Sequence, residues 1–259
     1  LRSFCNRHVV FPFQPLPLAR RPFGRLNQGI RSLDLLRLES LQRRIAVQID
    51  QGRYDVAFVH NCQFSQSPGL LKFLQAPSVY YCGEPPRGIY EPPAVRPYNR
   101  FSRAQRLGNL VDPLPGLYRR TLRRLDRENV PSATAVLVNS HYSRETFYRT
   151  YGIFARVGRL GVDTDHFRPL SLDKEHRVVS VGALTPKKGF DLVIRALGMI
   201  EAVRRPVLTV ISNFADPSES QYLQELARSL GVVVDFRIGV SDDELVETYN
   251  RSLLTVYAP

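Results

Sequence analysis

Residues 177–258 alternate between two hydrophobic periods in strict order, a pattern that few folds accommodate. RVVSVG (177–182), VLTVIS (207–212), VVVDFRI (232–238) and LLTVYA (253–258) are short apolar runs rich in β-branched residues. That composition belongs to strands buried on both faces. Between the runs, residues 189–200, 218–230 and the stretch opening at SDDE (241–244) carry apolar residues at helical spacing. Gly231 follows the second of these, and Ser241 with Glu244 has capping-box spacing at the start of the third. A strand–helix–strand succession needs crossover connections, so the sheet is parallel. Four strands and three helices in this order are part of a doubly wound sheet, which commonly has about six strands. LLTVYA is expected as a buried strand.

The first half follows the same grammar more loosely. Ile30, Leu33, Leu38, Leu41, Ile45 and Ile49 predict an amphipathic helix stopped at Gly52. DVAFVH (55–60), SVYYC (78–82), ATAVLVNS (133–140) and RVGRLGVD (156–163) are expected strands, again separated by helical patterns. The polar stretch TDHFRPLSLDKEH (164–176) is expected as a linker or crossover. The chain is therefore expected to be α/β, with two Rossmann-like domains in tandem, residues 1–168 and 169–259, both incomplete. Its start at Leu1 and its stop after LLTVYAP suggest a piece cut at both ends.

The composition is ordinary for a folded protein, but the net charge of +12 directs attention to anionic partners: nucleic acid, anionic lipid or a phosphorylated small molecule. Cys5, Cys62 and Cys82 have no C-x-x-C spacing and no even count, which supports neither a zinc site nor a disulfide framework. No apolar run approaches the roughly 18 residues that span a bilayer, and LRSFCNRHVVFPF does not have the form of a signal peptide. A cytoplasmic, reducing location is expected, and the sequon at Asn250 is taken as a chance match.

The chemistry concentrates where the second half's first strand hands over to a helix, in VGALTPKKGFDLVIRAL (181–197). A helix start favours anions, because its first amides lack intrahelical partners and the macrodipole is positive there. Lys187 and Lys188 add two ammonium groups, so a phosphate site competes with a solvated basic loop. The motif is neither a Walker A loop nor G-x-G-x-x-G. Asp242, Asp243 and Glu244 are adjacent acids, but at a helix start they complement the dipole, and no metal cluster is expected.

VGALTPKKGFDLVIRAL, followed by YLQELARSLGVVVDFRIGVSDDELVETYNRSLLTVYAP, resembles the nucleotide-sugar domain of the family 4 (group 1) retaining glycosyltransferases, enzymes of GT-B fold. AVLVNSHYSRETFYRTYG and VGRLGVDTDHFRP resemble the end of their acceptor domain and its linker, and DVAFVHNCQFSQSP and VYYCGEPPRGIYE its middle. The resemblance implies hexosyl transfer from a nucleotide-diphosphate sugar, a co-substrate rather than a bound cofactor, to a sugar or lipid-linked acceptor. It implies that Lys188 contacts the donor diphosphate, with Lys187, Gly182 and Ala183 beside it, and that Gly239 and Val240 touch the base through backbone groups. Ser212 and Asn213, at a strand C-terminus, are donor-site candidates or plain turn residues.

Two positions depart from the family pattern. Ala183 stands where members often carry an arginine, and Lys187 cannot reproduce a guanidinium fork. Gly83 stands where members usually carry a histidine near the transferred sugar. Glu84, Arg87 and His60 are candidates to line the acceptor cleft, each with a structural alternative, and Ser140 is similar. The family's acidic E-x7-E element would lie beyond Pro259, so this piece alone is expected to be inactive.

Residues 96–127 hold nine arginines against two acids. Leu114, Leu117, Leu122 and Leu125 fall at helical spacing among Arg119, Arg120, Arg123, Arg124 and Arg127. A basic amphipathic helix suits an anionic membrane surface, on the inner face if the protein is cytoplasmic; a solvated face with its leucines packed inward is the alternative. A nucleic-acid-binding protein remains the rival from another class, though no RRM, helix-turn-helix or zinc-finger pattern is present and aromatics do not interleave with the arginines. A silent relative acting as a scaffold, and an epimerase on the same fold, are further alternatives.

Overall fold

The computed structural model describes residues 6–20, 23–92, 94–99 and 112–258. Cys5, Arg100, Arg103 and Arg106 lie outside the described residues. The chain divides into two units, Leu1–Pro93 with Phe101–Leu160, and Ala94–Arg100 with Gly161–Pro259. This division falls ahead of the boundary set at 168 from the sequence. Residues of the expected linker are tied to the second unit by Asn250, whose amide accepts from Leu170 N (2.7 Å) and donates to Arg168 O (3.1 Å).

The first unit holds a parallel sheet of β1 (Ala57–His60), β2 (Ser78–Gly83), β3 (Ala135–Val138) and β4 (Arg156–Val157), in that spatial order. Its core gathers Tyr80, Val138, Phe147 and Leu71. The expected first helix is α1 (Asn27–Gln51), but its buried face runs through Leu35, Leu38, Leu41, Gln42 and Ala46. Leu33 points to solvent, because the helix packs its other side against the 3-10 turn Gly69–Lys72, where Gly69 N donates to Gln42 Oε1 at 2.7 Å. After the short helix α2 (Arg87–Tyr90), the last part of the arginine-rich stretch lies in α3 (Leu114–Asn129). Leu125, Asp126 and Asn129 face inward, all five helical arginines are exposed, and Leu117 is exposed with them. RVGRLGVD is a strand only over its first two residues. Gly158 N donates to Val138 O, and beyond it Leu160 and Val162 stand exposed. Helix α4 (His141–Tyr151) starts on Ser140, whose hydroxyl accepts from Ser143 N, and stops at Gly152 in the left-handed conformation.

The second unit is regular. Strands β5 (Glu175–Val181), β6 (Val207–Ser212), β7 (Val234–Ile238) and β8 (Ser252–Thr255) lie parallel in the order β7-β6-β5-β8. Helices α5 (Phe190–Gly198), α6 (Pro217–Ser229) and α7 (Asp242–Arg251) alternate with them as the sequence predicts. Ser241 caps α7 by accepting from Glu244 N, and Asp216 caps α6 by accepting from Ser218 N and Glu219 N. Val178, Leu208 and Val210 of the sheet pack with Phe190, Ile194, Leu197 and Leu223 of the helices. The central β6 is buried almost throughout, whereas among the described residues β8 lies at the edge of the sheet with Leu253 and Leu254 exposed, so the last run is not the buried strand expected. The fold is α/β with two parallel sheets, as the sequence implies.

Candidate functional site

The order β7-β6-β5-β8 fixes where the second unit can bind a ligand. Chain progression from β5 runs to β6 and β7 on one side, then returns to place β8 on the other. The crevice beyond the carboxyl ends of β5 and β8 is therefore a topological switch point, the place where open α/β sheets bind ligands. Lys188 follows β5 and Tyr257 follows β8, and the Lys188 ammonium donates to the Tyr257 hydroxyl at 3.3 Å. Its Nζ also lies 5.5 Å from the centre of the Tyr257 ring. The stem of Lys188 runs against Gly182, where a Cβ would meet Lys188 Cδ at 3.3 Å. The lysine that carries the sequence argument is thus aligned, and its present partner is a neutral phenol. Lys187 is exposed to solvent.

Local structure explains the alignment. Pro186–Lys188 form one 3-10 turn, closed by Lys188 N donating to Thr185 O at 3.1 Å. Gly189 then adopts φ +62°, and α5 begins with no side-chain cap. Leu192 N already donates to Gly189 O at 2.9 Å, while the amides of Phe190 and Asp191 have no partner among the described residues, which leaves an electropositive helix start beside Lys188.

Ser212 joins this loop to the next. Its buried hydroxyl accepts from Leu184 N (3.0 Å) and Phe214 N (3.1 Å) and donates to Phe214 O. All of its hydrogen-bonding capacity is spent on backbone, so the turn alternative describes it. Asn213 is exposed at the tip. Gly239 N donates to Ser212 O, which brings Gly239 and Val240 to the same rim, and no heavy atom lies within 4 Å of a Cβ built on Gly239. Ala183 is half-buried and supplies no cation. Gly182, Ala183, Lys187, Lys188, Ser212, Asn213, Gly239 and Val240 are thus gathered at the strand ends of one sheet.

The sequence alone marks neither Tyr257, which falls in the last apolar run, nor Arg96, one of the nine arginines of 96–127. Arg96 is buried. Its guanidinium donates to Asp191 at 2.9 and 3.0 Å, to Glu219 at 3.0 to 3.2 Å and to Pro186 O at 3.1 Å. Burial alone would lower the Arg96 pKa; the two carboxylates more than reverse that and hold it raised. No feature of the linear sequence marks the contact, since its partners lie 95 and 123 positions away.

In the first unit His60 and Gly83 end β1 and β2. The His60 ring is exposed, edge-on to Phe58 at 5.0 Å and tilted to Tyr81 at 5.8 Å. Gly83 has φ +67°, with no heavy atom within 4 Å of a built Cβ, so backbone conformation rather than space favours glycine there. Glu84 is exposed and accepts from Arg87 at 2.9 and 3.1 Å. Ser140 is a helix cap. A cleft of about 410 Å³ opens nearby, lined by Gln28, Gln63, Gln66, Tyr118 and Arg119 among others; His60, Gly83 and Glu84 do not line it. Among the described residues no group of three or more His, Cys, Asp or Glu could hold a metal, and no helix is long and apolar enough to cross a membrane.

Residues 162–259 match the family described as Glycosyl transferases group 1. The chain is 33% identical over 142 residues to a GDP-mannose-dependent alpha-(1-6)-phosphatidylinositol monomannoside mannosyltransferase of Mycolicibacterium smegmatis, covering 49% of this chain and 36% of that protein. Crystal structures of Anabaena HepE are similar in fold at 17% identity. The complex with UDP and glucose gives a TM-score of 0.56 over 85% of this chain, and the complex with UDP-glucose gives 0.57 over 84%, each covering 56% of the HepE chain. The chain thus spans about a third of the length of the mannosyltransferase and just over half that of HepE. Residues 162–259 thus match the glycosyl transferases group 1 family, on a chain whose two parallel α/β units have the GT-B fold.

Proposed function

We propose that this chain is part of a retaining glycosyltransferase of family 4 type, which moves a hexosyl group from a nucleotide-diphosphate sugar to a sugar or lipid-linked acceptor. The observation that carries the reading is the position of Lys188 at the switch point, beside the uncapped start of α5. In the transfer the bond between the sugar's anomeric carbon and the diphosphate oxygen breaks, and its electron pair leaves with the diphosphate. The acceptor hydroxyl oxygen forms the new bond on the same face and gives up its proton to the departing phosphate. Charge grows on the diphosphate as it leaves. A fixed ammonium and unpaired helix amides stabilise that growth without reorganising. Gly239 and Val240, on the same rim, suit backbone contact with the base. Hexose donors are supported by the HepE complexes with UDP-glucose and by the GDP-mannose-dependent relative, which acts on a phosphatidylinositol mannoside.

The acceptor belongs to the first unit in this reading, near His60, Gly83 and Glu84. The exposed arginines of α3 would support peripheral attachment at the inner, anionic face of a membrane, consistent with a cytoplasmic enzyme and a lipid-linked acceptor. Titration of the full chain with UDP-glucose and GDP-mannose tests the donor reading. Binding of either, abolished or strongly weakened by Lys188→Ala, is the expected result; equal binding by the variant overturns it.

A further inference from the structure

Two carboxylates stand in the first turns of the helices that frame the donor site: Asp191 in α5 and Glu219 in α6. Both are buried, Glu219 completely. An acid in a first turn normally complements the helix dipole. Here Asp191 occupies the helix start that the proposed diphosphate would use, and free carboxylates at that place would repel it.

Arg96 removes the conflict. Its planar fork engages both carboxylates, and the Tyr98 hydroxyl adds a further hydrogen bond to Glu219. The face of Tyr222 lies 5.4 Å from the guanidinium carbon. The same fork donates to Pro186 O, two residues before Lys188, while Asp191 lies three residues after it. One guanidinium therefore holds the turn that carries Lys188 and Gly189 at both of its ends. Stability alone is a poor account of such an arrangement, since buried ion pairs are often no better than apolar packing of the same volume.

We propose that Arg96 is a positioning residue of the donor site, which fixes the Pro186–Asp191 turn and neutralises the carboxylates facing the diphosphate. The proposal rests on the reading of that turn as a diphosphate site.

The test compares the full-length wild type with Arg96→Gln, Arg96→Lys, Arg96→Gln/Asp191→Asn and Lys188→Ala. UDP and GDP are titrated calorimetrically at a temperature where every variant is folded, and amide hydrogen exchange is followed over residues 184–192 and in β6. Arg96→Gln should weaken the better-bound nucleotide by about 10–100-fold, the scale of a misplaced binding group. It should also speed exchange over 184–192 while β6 stays protected. Arg96→Lys should recover part of the affinity, because a point charge cannot reach all three acceptors. Asp191→Asn should also restore part of it, which a purely structural role would not predict. Lys188→Ala should lose affinity with unchanged exchange. If Arg96→Gln binds like wild type with unchanged exchange while Lys188→Ala is weakened, the proposal is overturned and the donor reading stands. If Lys188→Ala binds like wild type, the donor reading fails and the proposal falls with it. Should Arg96→Gln not fold, Arg96→Lys carries the same two outcomes.

Discussion

A Cβ placed on Gly189 would lie 1.7 Å from the carbonyl oxygen of Ala258. The backbone after β8 is thus laid directly on the turn after β5, and Gly189 also sits at φ +62°. Gly189→Ala must therefore accept a left-handed conformation, worth about 1–2 kcal/mol, and displace backbone, which in packed regions costs about 1–3 kcal/mol. The expected loss is about 2–5 kcal/mol in urea unfolding. A loss below about 1 kcal/mol would show that the two segments separate freely.

Lys188 and Tyr257 divide the electrostatic work unequally. Removing the ammonium deletes a charged hydrogen bond of about 1.5–3 kcal/mol, or about 10–150-fold in affinity for the donor nucleotide. Tyr257→Phe keeps the ring under the ammonium and loses one neutral acceptor, so its affinity should stay within about fivefold of wild type. Calorimetric titration of UDP and GDP separates the two, and equal losses would contradict the order.

The Ser212 hydroxyl ties two loops together through their backbone. Ser212→Ala removes one of two acceptors of Leu184 N, which keeps Phe214 O at 2.7 Å, and the side-chain acceptor of Phe214 N, which belongs to an exposed residue. Neither amide is left buried and unpaired, so the expected loss is that of an ordinary hydrogen bond, about 0.5–1.5 kcal/mol. Chemical denaturation should show a loss in that range with a milder effect on nucleotide affinity than Lys188→Ala. The reverse pattern would return Ser212 to the list of ligand contacts.

What the sequence made legible follows from the range of each interaction. Lys188–Gly189 and the capping pair Ser241–Glu244 are local, and strand–helix alternation places Ser212 and Gly239 at strand ends without any knowledge of packing. The choice between Leu33 and Leu35 on α1 depends on what the helix packs against, and both fit a helical period. RVGRLGVD has strand-like residues, but only Arg156 and Val157 pair with a neighbour. Arg96 is illegible for the strongest reason: in the sequence it is one of nine arginines in a single stretch, and only the fold brings Asp191 and Glu219 to it.

Alkaline pH should weaken the first unit in a defined window. Burial pushes the Cys82 thiol up from 9.0 to about 12, and burial together with a hydrogen bond to Asp126 pushes Tyr90 up from 10.0 to about 12. Both groups keep their protons in the folded chain at pH values where the unfolded chain has released them. The unfolded state then binds fewer protons, so stability falls as pH rises. The contribution is complete below pH 9 for Cys82 and below pH 10 for Tyr90, and is lost progressively as pH climbs towards 12. Urea midpoints measured from neutral pH upward should be flat at first and then decline. Cys82→Ala lowers stability at every pH through the cavity it leaves, but it should flatten the decline between pH 9 and 10, where the thiol acts ahead of Tyr90. An unchanged slope in the variant would show that the thiol titrates alike in both states. Iodoacetamide provides a separate check: the buried Cys82 should resist alkylation in the native chain and react once urea unfolds it.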